Sequence, residues 1–243
     1  MTDDSDYAGR FLNAAEDIKK SLGKMYGENF KGLGEACRYA RHKKNRIILQ
    51  HEKPLEVLVD LRNVMQHSNV LKGQVLANPR EDAVIALEEI AQKVQNPPQI
   101  RTYMITNPDV VAPTASLAEA AELIIEKGYS QLPVYQEGKY QALFTTNAFA
   151  RWLSEAVRRE KGHLIEENVT ISEVIKFAEE YEQPKFVKPT EPAHKVCDLL
   201  SSEQPLPAVL VTTDGRSTGA LQGIVTRFDV PAILRKITTT FPL

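Results

Sequence analysis

The chain is sparing with the residues that announce a chemistry. It has two cysteines, Cys37 and Cys197, far apart in 243 residues. That excludes a disulfide-stapled scaffold, and both thiols are expected to be reduced and buried in a cytoplasmic protein. No apolar run approaches the ~20 residues that cross a bilayer, so no membrane role is expected. The opening Met1-Thr2-Asp3-Asp4-Ser5-Asp6 lacks the basic and apolar regions of a secretory signal. Charge of one sign is also lacking. A net charge of −2 and a pI near 6.2 exclude whole-chain attraction to nucleic acid or to membrane surfaces. There is no phosphate-binding P-loop, and Gly32-Leu33-Gly34 neither follows a strand nor completes a dinucleotide fingerprint. Cys37 and His42 have no partners for a zinc set, so no metal is expected. The lone Trp152 sits at helical spacing and reads as core. What is present is 42% hydrophobic residues, enough for real cores in one or two domains.

The first hundred residues carry the helical period. Phe11, Ala15, Ile18, Leu22 and Met25 draw one apolar stripe, and Phe30, Leu33, Cys37 and Ala40 a second, with a loop expected near Gly23 to Gly27. Pro54 suits the first turn of a third helix, with Leu55, Leu58, Leu61 and Met65 on its face. For the fourth, Asn78 is placed to cap, Pro79 to open, and Glu81 and Asp82 to favour the positive end of the dipole. Val84, Leu87, Ala91 and Val94 form its stripe, and Asn96-Pro97-Pro98 stops it. Such helices bury their stripes only against one another or against a second copy.

From about residue 104 the period changes. Val110-Val111 is a short strand, Ser116 to Glu119 a capping box, and Gly128 a helix stop. Gln131 to Tyr135 and Tyr140 to Thr145 form a hairpin around Glu137-Gly138-Lys139, followed by a helix through Trp152 and Val157. The order then repeats: Phe186-Val187, a helix from His194 to Ser201, strands at Ala208 to Thr212 and Leu221 to Thr226, and a helix from Asp229 to Ile237. Residues 161–183 join the halves through a helix containing Ile171, Val174, Ile175 and Ala178. The halves are expected to pack their sheets face to face about a pseudo-twofold axis.

The repeat is sharpest at Gly223-Ile224-Val225-Thr226-Arg227-Phe228-Asp229. A buried-strand run ends in a hydroxyl, and a carboxylate follows three residues later. The weaker copy is Leu143-Phe144-Thr145-Thr146-Asn147-Ala148-Phe149, and each copy follows a strand containing Leu-Pro, Leu132-Pro133 and Leu206-Pro207. A strand-to-helix junction offers free N–H groups and the positive end of a dipole to an anion. There Thr226 supplies a hydroxyl for phosphate, Arg227 a positive charge, and Asp229 an acceptor for a pair of ribose hydroxyls. The same two residues also suit a plain helix cap, and both readings hold together. These motifs resemble the CBS domain pair, a regulatory module that commonly binds adenine nucleotides. The resemblance implies Thr226 for phosphate and Asp229 for ribose. It also implies adenine contacts from backbone around Val187 and Pro207-Ala208, with AMP, ADP or ATP as the ligand. Ala148 and Ala142 stand where Asp229 and Gly223 stand in the second half. The first site is therefore read as vacated, although Thr145, Thr146 and Arg151 remain for a phosphate, and one nucleotide per chain is expected.

The helical part holds Arg62-Asn63-Val64-Met65-Gln66-His67. Here it resembles HEPN domains, whose ribonuclease members use Arg and His without metal, usually in a cleft between two subunits. The resemblance implies His67 as general acid or base, Arg62 on the scissile phosphate and Asn63 orienting His67. On a helix, Arg62 and His67 point ~140° apart, whereas Asn63 and His67 share a face, so gathering all three needs a twofold dimer. Alternatively, Arg62 pairs with Asp60, Glu56 or a partner chain, and His67 caps the helix. Six basic residues from Arg38 to Lys53 are available to line RNA phosphates, but Tyr39 is the one aromatic near them, and a solvated face is the better explanation.

The expectation is therefore an α+β chain: a HEPN-like four-helix bundle over residues 1–98, then a tandem CBS pair (a Bateman module) over 99–243. The repeats are placed at about 104–160 and 184–238, around a linker helix at 161–183. The expected function is that of a prokaryotic-type regulator. An adenine nucleotide in the pair controls dimer geometry or partner binding of the helical part. The alternatives are a metal-independent endoribonuclease gated by nucleotide, with RNA as its substrate, and a dimerisation protein with vestigial sites. A homodimer is expected in each case.

Overall fold

A computed structural model describes residues 6–66, 77–159, 168–204 and 206–238. The chain divides into two compact units, residues 1–97 and 98–243, one residue short of the boundary expected from Pro97-Pro98.

In the first unit, α1 (Tyr7–Tyr26), α2 (Leu33–His42), α3 (Arg46–Gln50), α4 (Glu52–Gln66) and α5 (Glu81–Gln95) share one core. The expected stripes form it except at Met25, which is 37% exposed, and Phe11, Ile18, Leu22, Leu33, Leu87 and Ile90 are nearly inaccessible. The α1 helix starts on Asp6, whose side chain accepts from the Gly9 N–H, and stops at Gly27 in the left-handed conformation. Gly23 lies inside the helix rather than in a loop. The short α3 was not expected. It follows Asn45, whose buried side chain accepts from the N–H groups of Ile47 and Ile48. The start of α5 differs from the expectation: Arg80, not Asn78, is the cap, and Pro79 precedes the helix. The Arg80 carbonyl receives the first turn's bonds from Ala83 and Val84, while Glu81 and Asp82 still occupy the turn that favours acids. Burial pushes the Cys37 thiol up to about 11.

The second unit mixes helix and sheet. Its elements are β1 (Ile105–Thr106), α6 (Leu117–Lys127), β2 (Gln131–Gln136), β3 (Lys139–Thr145), α7 (Thr146–Arg159), α8 (Ile171–Val174), β4 (Lys185–Val187), α9 (Ala193–Leu200), β5 (Ala208–Thr212), β6 (Leu221–Thr226) and α10 (Val230–Thr238). Helix α6 opens with the Ser116/Glu119 capping box and closes at Gly128. The β2–β3 hairpin turns through Glu137 and Gly138, both at positive φ, as a tight two-residue turn requires. A second sheet has the order β1-β6-β5-β4, antiparallel except for the β4–β5 pair.

Strand alternation explains the layers. Val209 and Val211 of β5 face a core with Val196, Cys197 and Ile233 from α9 and α10. Ala208 and Leu210 face the other way, onto Leu143 of β3. The two sheets thus meet face to face, and the Tyr140 and Phe186 rings extend the contact edge to face at 5.0 Å. Strand β1 was not expected. Residues 99–106 run along the second half instead of the first: Gln99 bridges Pro192, Ile100 enters the second-half core, and β1 pairs with β6. Gly223 allows this, because a Cβ there would sit 2.5 Å from the Met104 sulfur and 2.9 Å from the Ile105 carbonyl. The expected linker helix is mostly absent among the described residues. Only Ile171–Val174 is α-helical, a 3-10 turn follows at Ile175–Phe177, and Ala178 is extended.

Candidate functional site

Both strand-to-helix junctions tie a threonine to a carboxylate. In the second half, Asp229 Oδ2 accepts from the Thr226 backbone N–H at 2.7 Å and from its hydroxyl at 2.9 Å. Asp229 precedes α10 and its carbonyl receives the Ile233 N–H. The carboxylate therefore folds back onto the end of β6, and the Thr226 hydroxyl proton points at Asp229. A phosphate or ribose at this junction must compete with that bond.

In the first half, Thr145 ends β3 and is buried. Its hydroxyl oxygen accepts from the Ala148 N–H at 3.0 Å, capping α7, and its proton goes to Glu182 Oε1 at 2.8 Å. Glu182 comes from the linker and is 3% exposed. Its Oε2 accepts from the Glu179 N–H and from the Arg151 guanidinium. Arg151 also donates from Nε to the Phe177 carbonyl at 2.8 Å. Thr145 and Arg151, expected to remain free for a phosphate, are therefore held by an internal carboxylate. Ala148 needs no acid of its own, because Glu182 supplies one.

Between the junctions lies a cleft of about 710 Å³. The first half contributes Ser130, Gln131, Thr146 and Asn147 to it, and the second Pro207, Arg227 and Phe228. Phe228 is 69% exposed, with the Arg227 guanidinium 5.4 Å from its ring centre. Of the residues expected to bind nucleotide, Pro207 and Arg227 line this cleft. Thr226 lines a smaller one of about 250 Å³, with Asp109 and Lys127, which shares Ser130, Gln131 and Phe228 with the first. Val187 borders a third, beside Lys188 and Asp214. Ala208 is fully buried between the sheets. Phe228 was not singled out from sequence, although its place between Thr226 and Asp229 marked it.

In the helical unit, Arg62 donates to the Asn63 side-chain oxygen at 3.2 Å. His67 lies outside the described residues. Arg41, from the basic stretch, pairs with Glu52 and Glu56 at 2.6 and 2.9 Å. No helix among the described residues is long and apolar enough to cross a membrane.

No curated protein matches the chain. Among solved structures it is similar to CBSX2 in complex with AMP, with 20% identity over 57% of this chain and 97% of that one, at a TM-score of 0.44. It is similar to a hemolysin-like protein containing a CBS domain from Oenococcus oeni, at 20% identity over 57% and 91% with a TM-score of 0.40. It is also similar to the CBS domain of a bacterial CNNM/CorC family Mg2+ transporter in complex with ATP, at 19% identity over 59% and 89% with a TM-score of 0.40. Residues 100–155, which span β1 to most of α7, match the family model of the CBS domain.

Proposed function

We propose that the protein is a nucleotide-sensing regulator. An adenine nucleotide held in the cleft between the two CBS-like halves biases dimer geometry or partner binding of the helical unit. The cleft itself carries this reading. Its volume of about 710 Å³ falls within the roughly 300–1,000 Å³ range of small-molecule sites. Arg227 offers two-pronged phosphate contact at its wall. The exposed Phe228 ring beside it offers a face on which a base can stack. Asp229 lies one residue further on, and a ribose hydroxyl that reaches it replaces the Thr226 hydroxyl as its donor. The ribonuclease alternative gains no comparable support among the described residues, since Asn63 offers its oxygen to Arg62.

Calorimetry with AMP, ADP and ATP tests this. Binding should be saturable with one nucleotide per chain, and Arg227→Ala should weaken it about tenfold, the worth of a charge-assisted contact. Absence of binding by all three at millimolar concentration would leave a dimerisation protein as the better reading. An Asp229→Ala protein that binds as tightly as wild type removes Asp229 from the site without removing the site.

A further inference from the structure

The cleft is electrically lopsided. Arg227, from the second half, and Glu182, from the linker, are the charged residues on its wall. The first-half end has a second cation close behind, Arg151, one turn into α7. At a helix start, near two threonine hydroxyls, such an arginine is well placed for a phosphate. Here it is already engaged. It donates to Glu182, to the Phe177 carbonyl, and lies 4.0 Å from Glu179, so residues 177–182 surround its guanidinium. Glu182 is almost fully buried and accepts from Thr145, from the Glu179 N–H and from Arg151. A desolvated, fully bonded carboxylate of this kind is hard to displace, because the group left behind would be an unpaired buried charge.

We propose that Glu182 is a specificity-determining residue of the cleft. By neutralising Arg151 and taking the Thr145 proton, it withholds the first-half end from phosphate, so the site favours a nucleoside monophosphate over a triphosphate. This rests on the nucleotide reading above. One phosphate is satisfied at Arg227. A longer chain extending towards α7 meets Glu182, where an empty cradle would have presented Arg151 and Thr145. The preference is thus set by a linker residue that belongs to neither repeat's threonine motif.

The test is the ratio of ATP to AMP dissociation constants, measured by calorimetry in EDTA so that no metal screens the phosphates. Wild type should bind AMP about tenfold or more tightly than ATP. Glu182→Gln keeps the shape and an acceptor for Thr145 but frees the Arg151 charge, and should lower the ratio about tenfold. The double variant Glu182→Gln/Arg151→Met removes the freed cation as well, and should restore the wild-type ratio. Cooperative thermal melting of each variant shows that it is folded. Wild type binding ATP as tightly as AMP overturns the proposal with no variant needed. So does a ratio unmoved by Glu182→Gln, or a double variant that behaves like the single one. Failure of every nucleotide to bind wild type overturns the sensor reading itself, a different result from binding without discrimination.

Discussion

The two halves of the 98–243 unit satisfy the same hydroxyl in different ways. Thr226 is answered by Asp229, three residues on, within a single turn. Thr145 is answered by Glu182, 37 residues on, across the linker. The local solution leaves the junction self-contained and easy to open: one carboxylate oxygen, partly accessible, holds one residue. The distant solution joins β3, α7 and the linker through a carboxylate that is 3% exposed. The copy of the motif without an acid of its own is therefore not an empty site. An unpaired buried hydroxyl and a partly buried guanidinium would be costly, and the linker carboxylate that satisfies them makes the site a structural joint.

Substitutions at matched positions can break this comparison. The largest effect is expected at the joint. Glu182→Ala should lower stability by about 3 kcal/mol in urea denaturation, the low end for a broken buried pair because the Arg151 side chain is 31% exposed. A loss no greater than that of Asp229→Ala would mean that the two junctions are equivalent. Next is Gly223→Ala, expected to cost about 2 kcal/mol because the new Cβ overlaps Met104 and the Ile105 carbonyl. The matched change in the first half, Ala142→Gly, creates no overlap and should cost about 1 kcal/mol, from backbone entropy and the loss of one methyl packed against the first-half core. Asp229→Ala removes the two bonds that one partly accessible carboxylate oxygen accepts from Thr226 and should cost about 1 kcal/mol in the absence of ligand.

The smallest effect concerns Asp109 in the first half, which accepts from Lys127 at 2.7 Å and from Tyr129 at 2.9 Å. These donors hold its carboxyl below the usual aspartate range. Because the folded value is depressed, its contribution is present above the unfolded value, near 3.9, and fades as pH falls through the folded one. Asp109→Asn should therefore melt slightly below wild type at pH 7, with the gap closing below about pH 4 and shrinking in high salt. A gap that persists at low pH would show that the carboxylate charge is not its source.

What was legible in the sequence is local. Ser116 with Glu119, Gly128, the Glu137-Gly138 turn and the apolar stripes of α1, α2, α4 and α5 each declare themselves within a few residues, because capping, turn geometry and helical period act over that range. What escaped is long-range. Strand β1 has two residues, too few for a period, and its partner β6 lies more than a hundred positions on. Glu182 sits in the acidic stretch Glu179-Glu180-Tyr181-Glu182 at the end of the linker, where no sequence motif singled it out. The only clue was indirect: Ala148 left Thr145 without a local acceptor, which signals a missing partner but not where it comes from. At the candidate cleft, Arg227 had been singled out by the repeated motif and Pro207 by the family resemblance, whereas Phe228 and Glu182 became apparent only once the halves were folded together.

The pairing of β1 with β6 also sets a timetable for synthesis. Ile100 and Ile105 leave the ribosome at the very start of the second unit, yet their partners in the second-half sheet and core are made more than eighty residues later. The first helical unit can close as soon as α5 emerges, but the second cannot complete its four-stranded sheet until β6 is out. Until then the early segment is an unpaired strand carrying exposed apolar side chains, the kind of surface that chaperones recognise and that misassembles between neighbouring chains. Slowing translation between residues 160 and 220 should accordingly lengthen the life of that open state, visible as protease sensitivity near Ile105 in stalled nascent chains.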